Sequence, residues 1–213
     1  MNAVDARRTE LLKASPRMFE SDLLDKLSRV HPAVPVVIFL PEIVVLLALA
    51  IDAGGASTLG LVGLFVGGYF FWTLMEYWIH RVIFHFEPEE GFGARLHWII
   101  HGVHHDHPND PLRLVMPPSV SVPLSSLFLV GFWAVLGTPL WYSFGAGFIA
   151  GYLIYDMTHY HLHHHTPKTR FWKRLRELHM RHHFQDDTTG FGISAPYWDT
   201  AFRTHSPRAN RAD

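Results

Sequence analysis

The chain has 213 residues, 48% hydrophobic and 17% charged, with a formal net charge of −1, so it is not a generally basic nucleic-acid binder and has no acidic tail. It contains no cysteine, which excludes disulfides, thiolate zinc sites, iron–sulfur clusters and a cysteine nucleophile; any metal must be held by nitrogen or oxygen. The average composition hides a segregation: apolar residues gather in a few long runs, and the 17 histidines crowd into stretches between and after them.

Residues 1–33 are polar, carry six Lys or Arg, and are punctuated by Ser15-Pro16 and His31-Pro32. Their apolar positions (Leu11, Leu12, Met18, Phe19, Leu23, Leu24, Leu27) predict an amphipathic cytosolic segment able to lie on a membrane surface. No cleavable signal peptide is expected, because the first long apolar run begins only at Val34. Residues 34–53 are long enough to cross roughly 30 Å of hydrocarbon, although Pro41 and Glu42 interrupt the run and predict a kinked span. Residues 57–79 form a cleaner span in which Glu76 is the only charge; Gly63 and Gly67, four apart, read as ordinary small-residue packing. A second apolar block is divided by Gly137-Thr138-Pro139 into predicted spans at 120–137 and 139–158.

All 18 Lys and Arg fall in residues 1–33, 80–118 or 159–213, and none in the short turns between paired spans. Four crossings place those three polar segments on one side, which the positive-inside rule makes the cytosol. The predicted fold is therefore all-α and integral to a membrane. Two helical hairpins stand under a cytosolic cap (80–118 and 159–213), and 34–213 form a single domain.

Four histidine clusters occupy that cap: His80 and His85 in HRVIFH, HWIIHGVHH from His97, HYHLHHH from His159, and HMRHH from His179. Residues at i, i+3 and i+4 share a helix face. His101, His104 and His105 fit this spacing, and His179, His182 and His183 repeat it, each triplet making one three-toothed face. His159 and His163 are i and i+4, but His161 and His165 form a competing pair on another face, and spacing does not choose between them. His80 and His85 are five apart, about 140° around an ideal helix, and converge only if the helix ends or bulges between them, which is expected. His97 extends the stripe and reads as a donor behind the ligands; His31, His107 and His205 read as surface residues.

These imidazoles exceed what one ion can hold, so two metals are expected. Nitrogen-only coordination suits Fe, Zn, Cu or Ni, and zinc outranks iron in affinity, so purified protein can carry zinc where iron works. A redox-capable pair beside a lipid-facing cavity points to O2 activation and attack on an unactivated C–H bond, whereas zinc would suit hydrolysis. Glu76, Asp156, Asp186 and Asp187 are candidates to orient histidine N–H groups.

The set HRVIFH, HGVHH, YDMTHYHLH and HMRHH resembles the fatty acid hydroxylase and sterol desaturase superfamily of integral-membrane metal enzymes. The segments SPRMFESDLLDKLSRVHP, HHDHPNDPLRLVMPP and GFGISAPYWDTAF look like its fatty acid 2-hydroxylase branch, and the likeness runs from Ser15 to Phe202. It implies four transmembrane helices, an all-histidine dimetal centre and O2-dependent hydroxylation at C2 of a long acyl chain, in a fatty acid or ceramide-type lipid. Carried onto this sequence, the pattern assigns His80, His85, His101, His104, His105, His159, His163, His179, His182 and His183 as metal ligands at the catalytic centre, deciding for His159 and His163. The run His163-His164-His165 leaves a shifted register open there.

Relatives often carry a cytochrome b5 domain, for which the 33 residues before the first span leave no room, so electrons are expected from an external cytochrome b5-like or ferredoxin-like donor. Lys168, Arg170, Lys173 and Arg174 form a basic patch suited to such a donor or to anionic lipid. Tyr69, Phe70, Trp72, Trp98, Tyr152 and Tyr155 are candidates to line an acyl cavity, and Arg113 and Asn109 to hold a head group. The expected location is the inner membrane of a bacterium or the endoplasmic reticulum of a eukaryote, with the site on the cytosolic face. The competing readings are sterol or carotenoid oxidation by the same centre, and a non-catalytic membrane metal-binding protein.

Overall fold

The fold was analysed in a computed structural model that describes residues 3–206. It is all-helical, with no strand among the described residues. The ends of the predicted N-terminal segment and cap, residues 1–2 and 207–213, lie outside them.

The N-terminal segment forms two helices, α1 (Ala3–Lys13) and α2 (Asp22–Leu27), broken around Ser15-Pro16. Met18 is buried, whereas Leu11, Leu23, Leu24 and Leu27 stay exposed. Polar ties fix the segment to the loop after the second histidine cluster. The Arg113 guanidinium meets the Asp25 carboxylate at 2.8 Å, the Asn109 N–H donates to the Leu12 carbonyl at 2.9 Å, and the His107 Nδ1–H donates to the Leu11 carbonyl at 2.6 Å. Arg113 and Asn109 thus hold the N-terminal segment, and His107 is a tether rather than a free surface residue.

Helix α3 (Ala33–Asp52) runs on through Pro41, and Gly54 and Gly55, both at positive φ, turn the chain into α4 (Thr58–Trp78), which Ser57 caps by accepting the Gly60 N–H. Gly137, also at positive φ, ends α7 (Pro118–Leu136) before α8 (Leu140–His164) begins. Three stretches, Ala33–Asp52, Thr58–Phe84 and Pro118–Leu136, are long and apolar enough to cross a membrane. Each keeps large apolar side chains exposed (Val44 and Ile51, Leu59 and Val62, Leu127 and Val135), as helices facing hydrocarbon do.

Helix α8 is the most buried, packed among α3, α4 and α7. Its Phe148, Ile149 and Tyr152 join Phe39, Ile43 and Leu46 of α3 and Trp72 of α4 in the main core. Trp72, Tyr152 and Tyr155 therefore serve as core packing, Phe70 points outward, and Trp98 is turned to Asp106, to which its Nε1–H donates at 2.9 Å. The close approach of α4 and α8 rests on glycines other than the spaced pair in the sequence. Gly63 has open space around its missing Cβ, but a Cβ on Gly68 would stand 1.9 Å from the Phe144 carbonyl oxygen, and one on Gly147 1.9 Å from that of Phe65. Backbone cannot yield there as a side-chain tip can. Gly68→Ala is expected to cost about 1–3 kcal/mol through overpacking, read as a lower unfolding temperature in detergent; an unchanged midpoint would mean that the two helices are free to separate.

Candidate metal centre

The helices that carry the histidine clusters show two departures from regular α geometry. After Trp78 the chain winds into a π-helical stretch (Ile79–Phe84), in which the His85 N–H donates to the His80 carbonyl at 3.2 Å. An i→i+5 bond stacks residues five apart, and such bulges concentrate at functional sites; this is the bulge that the HRVIFH spacing requires. A second one (Trp98–Gly102) joins α5 (Gly91–His97) to α6 (Val103–Asp106).

All ten histidines assigned from the sequence gather in two groups of five, each with its candidate ligand nitrogens within 4.8 Å of one another. His80, His85, His101, His105 and His182 form the first; His104, His159, His163, His179 and His183 form the second. Neither triplet serves a single point. The i, i+4 members His101 and His105 join the first group and His104 the second, while His179 and His183 join the second and His182 the first. The groups share a wall, where the rings of His105 and His183 lie 4.3 Å apart.

Within each group the Nε2 atoms face one another. The separations are 3.3 Å for His80–His101 and His80–His85, 3.0 Å for His85–His182 and 2.9 Å for His101–His105. In the second group they are 3.1 Å for His104–His183 and His179–His183, and 2.7 Å for His163–His179. Two nitrogens each about 2.1 Å from one ion, at tetrahedral or right angles, stand about 3.0–3.4 Å apart, so all of these separations but the closer His163–His179 pair fit a common cation.

Proton accounting points the same way. His80 donates Nδ1–H to the Phe191 carbonyl and His182 donates Nδ1–H to the Thr189 carbonyl, both at 2.7 Å. A neutral imidazole carries one N–H, so both Nε2 atoms present bare lone pairs to His85 Nε2, which can donate to only one of them. His159 Nε2 is buried without any hydrogen-bond partner. A cation relieves this repulsion, and the ten nitrogens suit iron or zinc without deciding between them.

Burial keeps the rings neutral. It pushes His85 and His104 down to about 3 and His105 to about 2, and repulsion from His182, were that ring to take up a proton, adds to the fall. Their folded pKa values lie below the unfolded value near 6.5, so the unfolded chain takes up protons first as pH drops. Stability and metal retention are therefore expected to be full above about pH 6.5 and to fall continuously toward pH 3. Metal content and unfolding temperature measured from pH 8 to 4 check this; a metal load unchanged at pH 4 would contradict it.

The acceptors that orient His80 and His182 are backbone carbonyls, where the sequence pointed to carboxylates. Carboxylates act one step behind. Asp199, buried near the start of α10 (Tyr197–Ala201), accepts the Phe191 and Gly192 N–H groups at 2.9 Å each and the Thr204 hydroxyl at 2.8 Å. Glu76 accepts the Ser194 N–H at 2.7 Å and the Ser194 hydroxyl. Asp156 accepts the Tyr152 hydroxyl at 3.4 Å, and Asp186 caps Thr188. Asp187 lies with Glu87 near His85.

The remaining histidines stay outside both groups. His97 Nε2 is 3.9 Å from a Glu87 oxygen, His164 packs on Tyr160, and the rings of His161 and His165 stack on each other at 5.1 Å. His31 and His205 are exposed.

Residues 65–204 match the profile of the family described as fatty acid hydroxylase. The chain is 40% identical over 195 residues to a dihydroceramide fatty acyl 2-hydroxylase of Arabidopsis thaliana, covering 89% of this chain and 79% of that protein. It is 35% identical to the ceramide very long chain fatty acid hydroxylase of Saccharomyces cerevisiae, covering 91% of this chain and 50% of that one. The human fatty acid 2-hydroxylase is 40% identical over 68% of this chain and 40% of its own. Among solved structures, full-length scs7p, with only its hydroxylase domain visible, superimposes with a TM-score of 0.80 at 34% identity, covering 87% of this chain and 70% of that one.

Proposed function

The chain belongs to the fatty acid hydroxylase family, and from that footing we propose that it is a membrane oxidoreductase that hydroxylates a long acyl chain at C2, in a fatty acid or ceramide-type lipid. The observation that carries this reading is the pair of adjoining five-histidine groups at the ends of apolar helices. The reaction balances as one C2–H bond and O2, with two electrons and two protons, giving a C2–OH group and one water. When bound, a pair of redox-active ions supplies the oxygen activation; iron is the working metal in this reading, and redox-inert zinc can occupy the same nitrogens. The ten grouped histidines are its ligands. His80 and His182, each anchored through Nδ1 to a carbonyl, hold their Nε2 atoms fixed toward the ions. The helices hold the acyl chain so that C2 meets the centre, where near-attack placement contributes several kcal/mol.

In this reading α8 is the fourth crossing. One domain, 34–213, follows the cytosolic segment 1–33, and the histidine cap faces the cytosol of an endoplasmic reticulum or a bacterial inner membrane. Electrons come from an external cytochrome b5-like or ferredoxin-like donor. Expression with an active donor in a host that lacks 2-hydroxylated lipids is expected to yield 2-hydroxy acyl chains by mass spectrometry. An unchanged acyl profile, or an oxidised sterol or carotenoid in its place, overturns the assignment.

A further inference from the structure

Helix α9 (Arg170–Phe184) has two faces with different work. Leu175, His179 and His182 are buried on one side, against the end of α8, where Leu162 shares a core with Leu175 and its carbonyl accepts the Arg176 Nε–H at 2.9 Å. At 100° per residue, Arg170, Lys173, Arg174 and Glu177 fall on the opposite side, and all four are exposed, as is Lys168 just before the helix. Glu177, the sole acid of α9, is already bonded to Arg174 and Arg181, so the face has a clear positive excess. Lys168, Arg170 and Lys173 have no acidic partner among the described residues.

We propose that this outer face of α9 is the docking surface for a small one-electron carrier protein with an acidic surface. The proposal rests on the reaction given above, whose two electrons need a carrier to bring them to the centre. Charge complementarity selects an acidic partner. A soluble partner fits this face better than anionic lipid, because the cations lie on the side of α9 opposite the one buried against α8, and that inner side carries His179, His182 and His183. One helix width, about 10 Å, separates the docking face from the centre.

A short covalent and hydrogen-bonded route lies beside it. A cavity of about 360 Å³ opens next to Arg174 and is walled by Leu178, Gly190 and Ser206. Gly190 is so close to the centre that a Cβ there would lie 3.7 Å from the His182 Cβ. The preceding carbonyl, of Thr189, is the acceptor for His182 Nδ1–H at 2.7 Å. One carbonyl and one hydrogen bond thus connect the cavity wall to a ligand ring. Each docking delivers one electron, and two dockings complete a turnover.

The test uses the full chain in nanodiscs, metal-free and metal-loaded, with the triple variant Lys168→Glu/Arg170→Glu/Lys173→Glu. Binding of soluble cytochrome b5 and of an acidic plant-type ferredoxin is titrated separately across salt concentrations. For at least one carrier, the wild type is expected to bind with or without metal, and the variant roughly tenfold more weakly, with a flatter salt dependence. Single-turnover product, formed after anaerobic reduction with dithionite, removal of the excess reductant and admission of O2, is expected to be equal in both proteins. If wild type and variant bind each carrier alike, or if the substitutions act only through added phosphatidylserine, the proposal is overturned. If the pre-reduced, dithionite-free wild type gives no 2-hydroxy product on admission of O2, the enzymatic reading fails, while the carrier titration still judges the surface.

Discussion

His104→Ala is expected to leave a folded, inserted protein that makes no detectable 2-hydroxy product and retains close to one metal ion per chain instead of two. The ring packs 4.6 Å from those of His159 and His183 and 4.8 Å from that of His163, so it borders most of the second group. In the proposed centre its removal takes away a ligand nitrogen and opens the shell, a larger loss than the 10–100-fold typical when an outer partner is changed. Folding should survive, because removing one of five mutually repelling neutral rings relieves repulsion and His104 lies in the cap, clear of the α3–α4–α8 core. Elemental analysis of purified protein and the acyl profile of the expression host read the two effects separately. Full activity with two ions bound would remove His104 from the ligand set.

Much of this centre was legible because metal ligation constrains both residue type and spacing. The i, i+3, i+4 triplets and the five-residue step from His80 to His85 announce helices, and the second announces a bulge, which the π-helical stretch supplies. What spacing could not give was the partition. A triplet on one helix face fans over enough arc that its middle member can serve a neighbouring ion, so His104 and His182 cross to the group opposite their helix mates. Helical periodicity also gave no sign of the carbonyls behind His80 and His182, since any residue type supplies a carbonyl. The available hint was GFGISAPYWD, where Gly190 at positive φ and Gly192, whose Cβ would stand 2.5 Å from the Ala195 carbonyl oxygen, mark a tightly folded loop. In the spans, apolar runs located α3, α4, α7 and the first part of α8, but they did not show that α8 would be the most buried of the four. There glycine and polar residues replace bulk, because that helix is surrounded by protein.

Asp199→Ala is expected to damage the centre from a distance, with a lower unfolding temperature and a metal affinity reduced about 10–100-fold. The carboxylate is buried and accepts three hydrogen bonds, from the N–H groups of Phe191 and Gly192 and from the Thr204 hydroxyl. Alanine strands all three donors, at about 1–3 kcal/mol for each that finds no water. The segment they hold is the one whose Phe191 and Thr189 carbonyls fix the tautomers of His80 and His182, so its release lets both rings turn. Asn in place of Asp keeps one acceptor oxygen and should fall between wild type and Ala in both stability and metal affinity. A merely structural role would lower the unfolding temperature in that order while leaving the metal affinity of the folded protein unchanged. A graded loss of affinity, measured by competition with a chelator well below the unfolding temperature, separates the two roles. Normal metal retention in Asp199→Ala would show that the loop does not position the ligands.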